Sequence, residues 1–213
     1  MGLVGLLYVG AVLFINGLML LGAVEARSAA PINLFVGALQ VVTPTYLIFT
    51  ANGDPALILN ASGLYLFGFT YLYVGINLLA GLDNTGVGWF SLFVAIVAVG
   101  YAWANWWLLG NLPFGVIWLY WAFLWSLFFL VLGLKRAELT RYTGWVTVIQ
   151  AWVTAAIPAF LLLTDLWRDP GLTAIALAAV GVIVFGALYA RIHPRAPSAP
   201  ATTSTRTAHP AAG

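Results

Sequence analysis

Seven apolar segments long enough to cross a bilayer divide this chain, at about 2–24, 32–50, 56–80, 87–109, 113–134, 142–164 and 172–190, and every charged residue falls between or after them. A spanning helix needs about 20 mostly apolar residues to bridge ~30 Å of hydrocarbon, and each segment reaches or approaches that length. Only 7% of the residues are charged, against about 25% in soluble domains, so the chain reads as an all-α integral membrane protein. An ionisable group at the bilayer centre costs about 2.5–3.5 kcal/mol or more and is kept where a pump or proton relay needs it. These segments hold none, which argues against proton coupling and for passive movement of an uncharged solute.

The basic residues predict the orientation, because cytoplasmic loops are enriched in Lys and Arg. Arg27, Lys135, Arg136, Arg141, Arg191, Arg195 and Arg206 fall on one side and Arg168 alone on the other, which puts the N-terminus outside and the C-terminus in the cytoplasm. These cations are the ordinary topological signal, and the net charge of +2 calls for no nucleic-acid partner. Met1 to Val24 lacks a basic leader and has too long an apolar run for a signal peptide, so it is read as a retained first helix. Short turn-forming links such as Asn52-Gly53-Asp54-Pro55 and Asp83-Asn84-Thr85-Gly86 imply one bundle. The expected division is a six-helix unit over 1–167, an additional membrane helix over 168–191, and a disordered cytoplasmic tail over 192–213, rich in Pro, Ala, Ser and Thr. A Leu-Tyr-Val-Gly string at 7–10 recurs at 72–75, too short a match to establish a repeat.

Several chemistries drop out. The only lysine, Lys135, lies in a loop, so a retinal Schiff base has no place in the membrane. Metal-dependent hydrolysis lacks ligands, since both histidines are in the tail and there is no cysteine. No cofactor and no enzymatic activity are expected. What the helices do contain is neutral polarity: Asn16, Gln40, Thr43, Thr70, Asn77, Asn105, Thr147, Gln150 and Thr154. Residues of this kind ordinarily hydrogen-bond between helices.

Trp118, Trp121 and Trp125 stand at i, i+3 and i+7 and share about 60° of helical arc. Membrane-interface tryptophans are routine, but three on successive turns extend beyond an interfacial belt, and flat aromatic walls suit a flat solute. On the first helix Leu6, Val9, Leu13 and Asn16 lie within about 80°, an apolar strip ending in one amide.

The strings LLYVGAVLFINGL (6–18), NLFVGAL (33–39), LFGFTYLYVGIN (66–77), GLD (81–83), WFSLFVAI (89–96), IWLYWAFLW (117–125) and WVTVIQAWVTAAIPAFLLL (145–163) resemble the AmiS/UreI family, the urea channels and amide transporters of bacteria. The resemblance covers the first six helices in order, and LFGFTYLYVGIN is its most specific part. It implies a twisted six-helix transmembrane bundle with a pore in each protomer, assembled as a homohexamer around a lipid-filled centre. It also implies a pore lining of Leu6, Val9, Leu13 and Asn16 from the first helix, Phe67 and Tyr71 from the third, Trp118, Trp121, Leu124 and Trp125 from the fifth, and position 150 from the sixth. A multi-pass protein of the bacterial inner membrane follows, with small neutral solutes (urea and acetamide-like amides) and membrane lipids as partners, and a cytoplasmic amidase or urease as the consumer.

Three departures from that pattern shape the expectation. Acid-gated members carry a glutamate where this chain has Gln150, a side chain that stays neutral and both donates and accepts. The loops hold no histidine to titrate near neutral pH. The seventh span has no place in the six-helix pattern. A passive, non-acid-gated channel for small uncharged amides and urea is therefore expected. A non-conducting membrane scaffold docking an amidase, or a water or ammonia pore, remains as the alternative.

Overall fold

The computed structural model of the protein describes residues 2–192; the predicted cytoplasmic tail lies outside the described residues except for Ile192, the last residue of the seventh helix. Seven helical spans are present: Gly2–Leu20, Ala26–Phe49, Pro55–Ala80, Thr85–Trp107, Leu112–Gly133, Ala137–Leu163 and Pro170–Ile192. Each is long and apolar enough to cross a membrane. The first, second and fourth are single helices, α1 (Gly2–Leu20), α2 (Ala26–Phe49) and α5 (Thr85–Trp107). The third is α3 (Pro55–Ser62) followed by α4 (Leu64–Ala80). The fifth is α6 (Leu112–Phe128) ending in a π-helical segment, Phe129–Gly133. The sixth is α7 (Thr140–Gln150), a π segment (Ala151–Ala156) and α8 (Ile157–Leu163), and the seventh is α9 (Pro170–Ile192).

Local chemistry sets these boundaries. Asp54 caps α3 by accepting from the backbone N–H groups of Ala56 and Leu57 at 2.8 and 3.2 Å, with Pro55 in the first turn. Asn111 does the same for α6 through Phe114 N–H at 3.2 Å. Gly81, at φ +67°, closes α4 in the left-handed conformation that a side chain would strain. The second span begins six residues before its predicted start, so Arg27 falls in the first turn of α2, not before it. Proline lacks the N–H that would bond the Arg27 carbonyl, a loss that packed neighbouring helices can absorb, and Pro31 and Pro44 both sit inside α2.

Small residues let the backbones close up. A Cβ at Gly10 would stand 2.9 Å from Ala156 Cβ, and one at Gly17 would stand 2.6 Å from Val148 Cγ2. Two glycines seven residues apart thus form the seam by which α1 packs on the sixth span. The buried core includes Leu6, Val9, Leu13, Phe67, Tyr71 and the three tryptophans of α6. In contrast, α9 is held on one side only. Tyr120 Oη donates to the Leu177 carbonyl at 2.6 Å and Tyr142 Oη to the Phe185 carbonyl at 3.1 Å, while the Phe185 ring packs on Tyr120 and Phe123.

Candidate functional site

Alternating direction sorts the spans by their ends. Arg27, Asp83, Lys135, Arg136 and Arg141 gather at one end, called the basic end here. From that end a cavity of about 80 Å³ reaches into the bundle, lined by Leu13, Asn16, Met19 and Leu20 of α1, Phe67, Thr70, Tyr71, Val74 and Leu78 of α4, Asn84, Val87 and Ser91, and Trp121, Leu124, Trp125, Phe128 and Leu132 of the fifth span. Such a volume holds more than one water-sized molecule.

At the deep end of the cavity is an aromatic cluster. The Phe67 ring stands edge-on to Trp121 and to Trp125, with centroids 4.7 Å apart in both pairs. Trp118 meets Trp121 edge-on at 4.9 Å and is stacked on its other side by Tyr101 at 4.5 Å. These spacings lie within the favourable range for ring pairs, about 0.5–1.5 kcal/mol each beyond area burial, so the rings pack directly on one another here. Trp118, Trp121 and Trp125 are all buried, and they share one helical face as their spacing predicts.

The polar groups are placed with equal definition. Trp121 Nε1 donates to Thr154 Oγ1 at 3.0 Å, and Thr154 Oγ1 donates in turn to the Gln150 carbonyl at 2.7 Å. That chain lies in the π segment preceding Pro158, which has no N–H to offer the Thr154 carbonyl. Asn16 and Asn33 exchange two hydrogen bonds, and Asn33 Nδ2 also donates to the Ala29 carbonyl at 2.8 Å. Tyr71 lines the cavity with a buried hydroxyl that has no partner.

The sequence-predicted residues divide accordingly. Leu13, Asn16, Phe67, Tyr71, Trp121, Leu124 and Trp125 line the cavity together. Leu6, Val9 and Trp118 belong to the same buried core but lie off the cavity. Gln150 is fully buried and its Nε2 donates to the Tyr120 carbonyl at 3.0 Å, leaving Oε1 unpartnered. Asn33, Thr154 and Tyr101 support the site without having been assigned to it from sequence. Asn33 falls inside the predicted second segment, where nothing in the sequence marks its pairing with Asn16, and Thr154 stands out only as one neutral polar residue among many.

Outside the bundle interior, Lys135 Nζ contacts Asp83 Oδ2 at 2.8 Å, and Asp83 also accepts from Thr85 N–H at 2.7 Å. The Lys135 hydrogen bond, helped by Thr85, holds the Asp83 carboxyl well below the usual carboxylate range. No group of three potential metal ligands occurs among the described residues. The site can therefore offer a neutral solute ring faces, amides and a hydroxyl.

Comparison with known proteins gives this arrangement a context. The sequence profile of the AmiS/UreI family transporters matches residues 1–166. "Putative transporter protein AmiS2" of Rhodococcus erythropolis is 55% identical over 186 residues, 87% of this chain and 90% of the relative. The "Acid-activated urea channel" of Helicobacter pylori strain J99 is 36% identical over 203 residues, 78% of this chain and 99% of the relative. Among solved structures, the Helicobacter pylori urea channel in its closed state superposes with a TM-score of 0.69 at 36% identity, covering 79% of this chain and all of that one. The crystal structure of the urea channel from that organism gives a TM-score of 0.68. α9 lies beyond the family profile. With seven candidate spans and a transporter profile over most of its length, the chain is a multi-pass inner-membrane protein, and it belongs to the AmiS/UreI family.

Proposed function

We propose that this protein is a passive channel for small uncharged amides and urea, selecting by size, planarity and hydrogen bonding and opening without acid. The observation that carries this reading is the ring cluster of Phe67, Trp121 and Trp125 at the end of a cavity whose only polar groups are neutral. A hydrated ion entering such a constriction would lose its water for ring faces, at a desolvation cost the site cannot offset. A planar amide slides between rings when Phe67 swings aside, and the Tyr71 hydroxyl and the Asn16 amide stand in for part of its water. Relatives of this chain are named for amidate substrates and for urea, which supports that solute class.

Acid gating needs groups that titrate between about pH 5 and 7. Among the described residues there is no histidine, and Asp83 is already held ionised by Lys135, which supports a pore indifferent to mild acid. The proposal extends to an outward N-terminus, a homohexamer with one conduit per protomer, and a cytoplasmic amidase or urease that consumes the solute.

Stopped-flow flux of acetamide, urea and thiourea into proteoliposomes, at pH 5 and pH 7.5, tests the reading. Comparable rates at both values support it. Strong acid activation, or collapse of an imposed pH gradient, refutes it. A Trp121→Ala, Trp125→Ala double variant separates conduction from scaffolding: a conducting protein changes its solute flux, whereas a scaffold keeps only its docking. Water flux measured on the same vesicles exposes a protein that passes water alone.

A further inference from the structure

Where α9 leans on the bundle it leaves a groove of about 830 Å³, lined by residues that include Phe123, Leu127 and Leu130 of the fifth span and Val182, Gly186 and Tyr189 of α9. No residue lines both this groove and the solute cavity. The α9 part of the lining lies beyond the family profile, which ends at residue 166. From Leu130 at the basic end to Tyr120 the groove covers about 15 Å at ~1.5 Å per residue, half of the ~30 Å hydrocarbon layer.

The lining offers water little to bond. Trp106 Nε1 donates to the Leu112 carbonyl, and the Tyr120 and Tyr142 hydroxyls donate to carbonyls of α9. Left empty, the walls would forfeit their dispersion contacts; a Cβ added at Gly186 would meet nothing within 4 Å. At hydrocarbon depth such a groove takes an apolar chain.

The basic end indicates what carries that chain. Arg136 links two groove residues, its N–H donating to the Leu130 carbonyl at 2.9 Å and its carbonyl accepting from Leu139 N–H at 3.1 Å. Arg141 directly precedes Tyr142 and Arg191 follows Tyr189 by two residues, and the rings of those tyrosines meet edge-on with centroids 5.3 Å apart. All three arginines are exposed. Of the three, only Arg136 has a carboxylate within ion-pair distance among the described residues, Glu138 at 3.6 Å. The mouth of the groove therefore carries excess positive charge. A second copy inserted in the same sense would bring its own arginines to the same level, where like charges repel. A headgroup phosphate complements them.

We propose that this groove binds a phospholipid with an anionic headgroup. One acyl chain lies between the fifth span and α9, and the headgroup phosphate meets Arg136, Arg141 and Arg191. The lipid seats a helix whose buried residues, among those described, are only Ala174, Gly181 and Phe185. The site is independent of what the protein conducts.

Native mass spectrometry of the full-length protein in detergent, titrated with phosphatidylglycerol or phosphatidylcholine, tests the proposal. At roughly fivefold per arginine, phosphatidylglycerol should bind about tenfold or more tighter at low salt, and the preference should shrink as salt is raised. Combined Arg136→Gln, Arg141→Gln and Arg191→Gln should abolish the preference, and Gly186→Leu, which fills the groove, should weaken binding of both lipids. Equal binding of the two lipids by the wild type overturns the proposal, as does a preference that survives the triple variant. Lipid binding unchanged by Gly186→Leu also overturns it, and a change of oligomeric mass in that variant would then assign the groove to a second copy. Should Gly186→Leu fail to assemble, cryo-EM of the wild type in phosphatidylglycerol nanodiscs decides: acyl-chain density between the fifth span and α9 supports the site, and an empty or helix-filled groove overturns it.

Discussion

Asn16 and Asn33 bind each other reciprocally, Nδ2 to Oδ1 at 2.9 Å one way and 2.7 Å the other, across the buried face between α1 and α2. The bond fixes the lateral position of α1, and with it the Leu13 and Asn16 edge of the cavity. It also consumes one donor and one acceptor site of Asn16, leaving one N–H and one lone pair for a solute.

Replacing Asn33 with leucine strands a buried amide at Asn16 and should cost about 1–2 kcal/mol. The double variant Asn16→Leu, Asn33→Leu should regain much of that stability, since both polar partners are then gone. Thermal unfolding in detergent, followed by size-exclusion recovery, checks the order single variant below double variant. Reduced amide flux in the double variant, at near wild-type stability, would assign the remaining polar capacity of Asn16 to the solute.

Phe67 is the ring common to the cluster, and Phe67→Ala should widen the passage. Truncating a buried phenylalanine costs about 3–5 kcal/mol, so the variant is best measured at low temperature. Expected is a faster flux of acetamide with a relaxed size limit, read as the ratio of butyramide to acetamide entry. An unchanged ratio would place the constriction elsewhere.

Thr154→Val removes the acceptor of the Trp121 indole while keeping the shape of the side chain. About 1 kcal/mol of stability should be lost, and the indole, no longer anchored, should alter the relative flux of urea and acetamide. Thr154→Ser retains the hydroxyl and should restore the wild-type ratio. That rescue distinguishes orientation of the ring from simple packing.

The Asp83–Lys135 contact gives a pH prediction of definite sign. The folded-state carboxyl titrates below its ordinary value of 3.8, so its contribution to stability is fully present above about pH 4 and is lost as the pH falls further. Between pH 5 and 7.5 neither flux nor unfolding temperature should move on its account, and Lys135→Ala should leave flux in that window flat. Because the pair is exposed, its effect should weaken in high salt. A pH-dependent flux that vanishes in Lys135→Ala would make this contact a gate.

Periodicity made much of this molecule legible. The seven spans follow from apolar length, and the shared face of Trp118, Trp121 and Trp125 follows from their spacing, although spacing alone does not say whether that face meets lipid or core. Pairings between helices were harder to read, because Asn16–Asn33, Trp121–Thr154 and Gln150–Tyr120 join residues whose register depends on where each helix begins and how closely its glycines let it approach. Gln150, singled out by its motif, is tied to the Tyr120 backbone off the cavity, a position that helical angle alone could not distinguish from the lining.

The two tyrosines that grip α9 end on the main-chain oxygens of Leu177 and Phe185. Such a clasp is indifferent to side-chain identity at those two positions, since every residue offers the same acceptor. Its steric demand falls instead on Gly181, where an added methyl would meet Tyr120 Oη at 2.6 Å. Apart from Phe185, whose ring packs on Tyr120 and Phe123, the seventh helix can therefore diverge widely in composition and keep these two bonds, so long as the notch at Gly181 is kept empty.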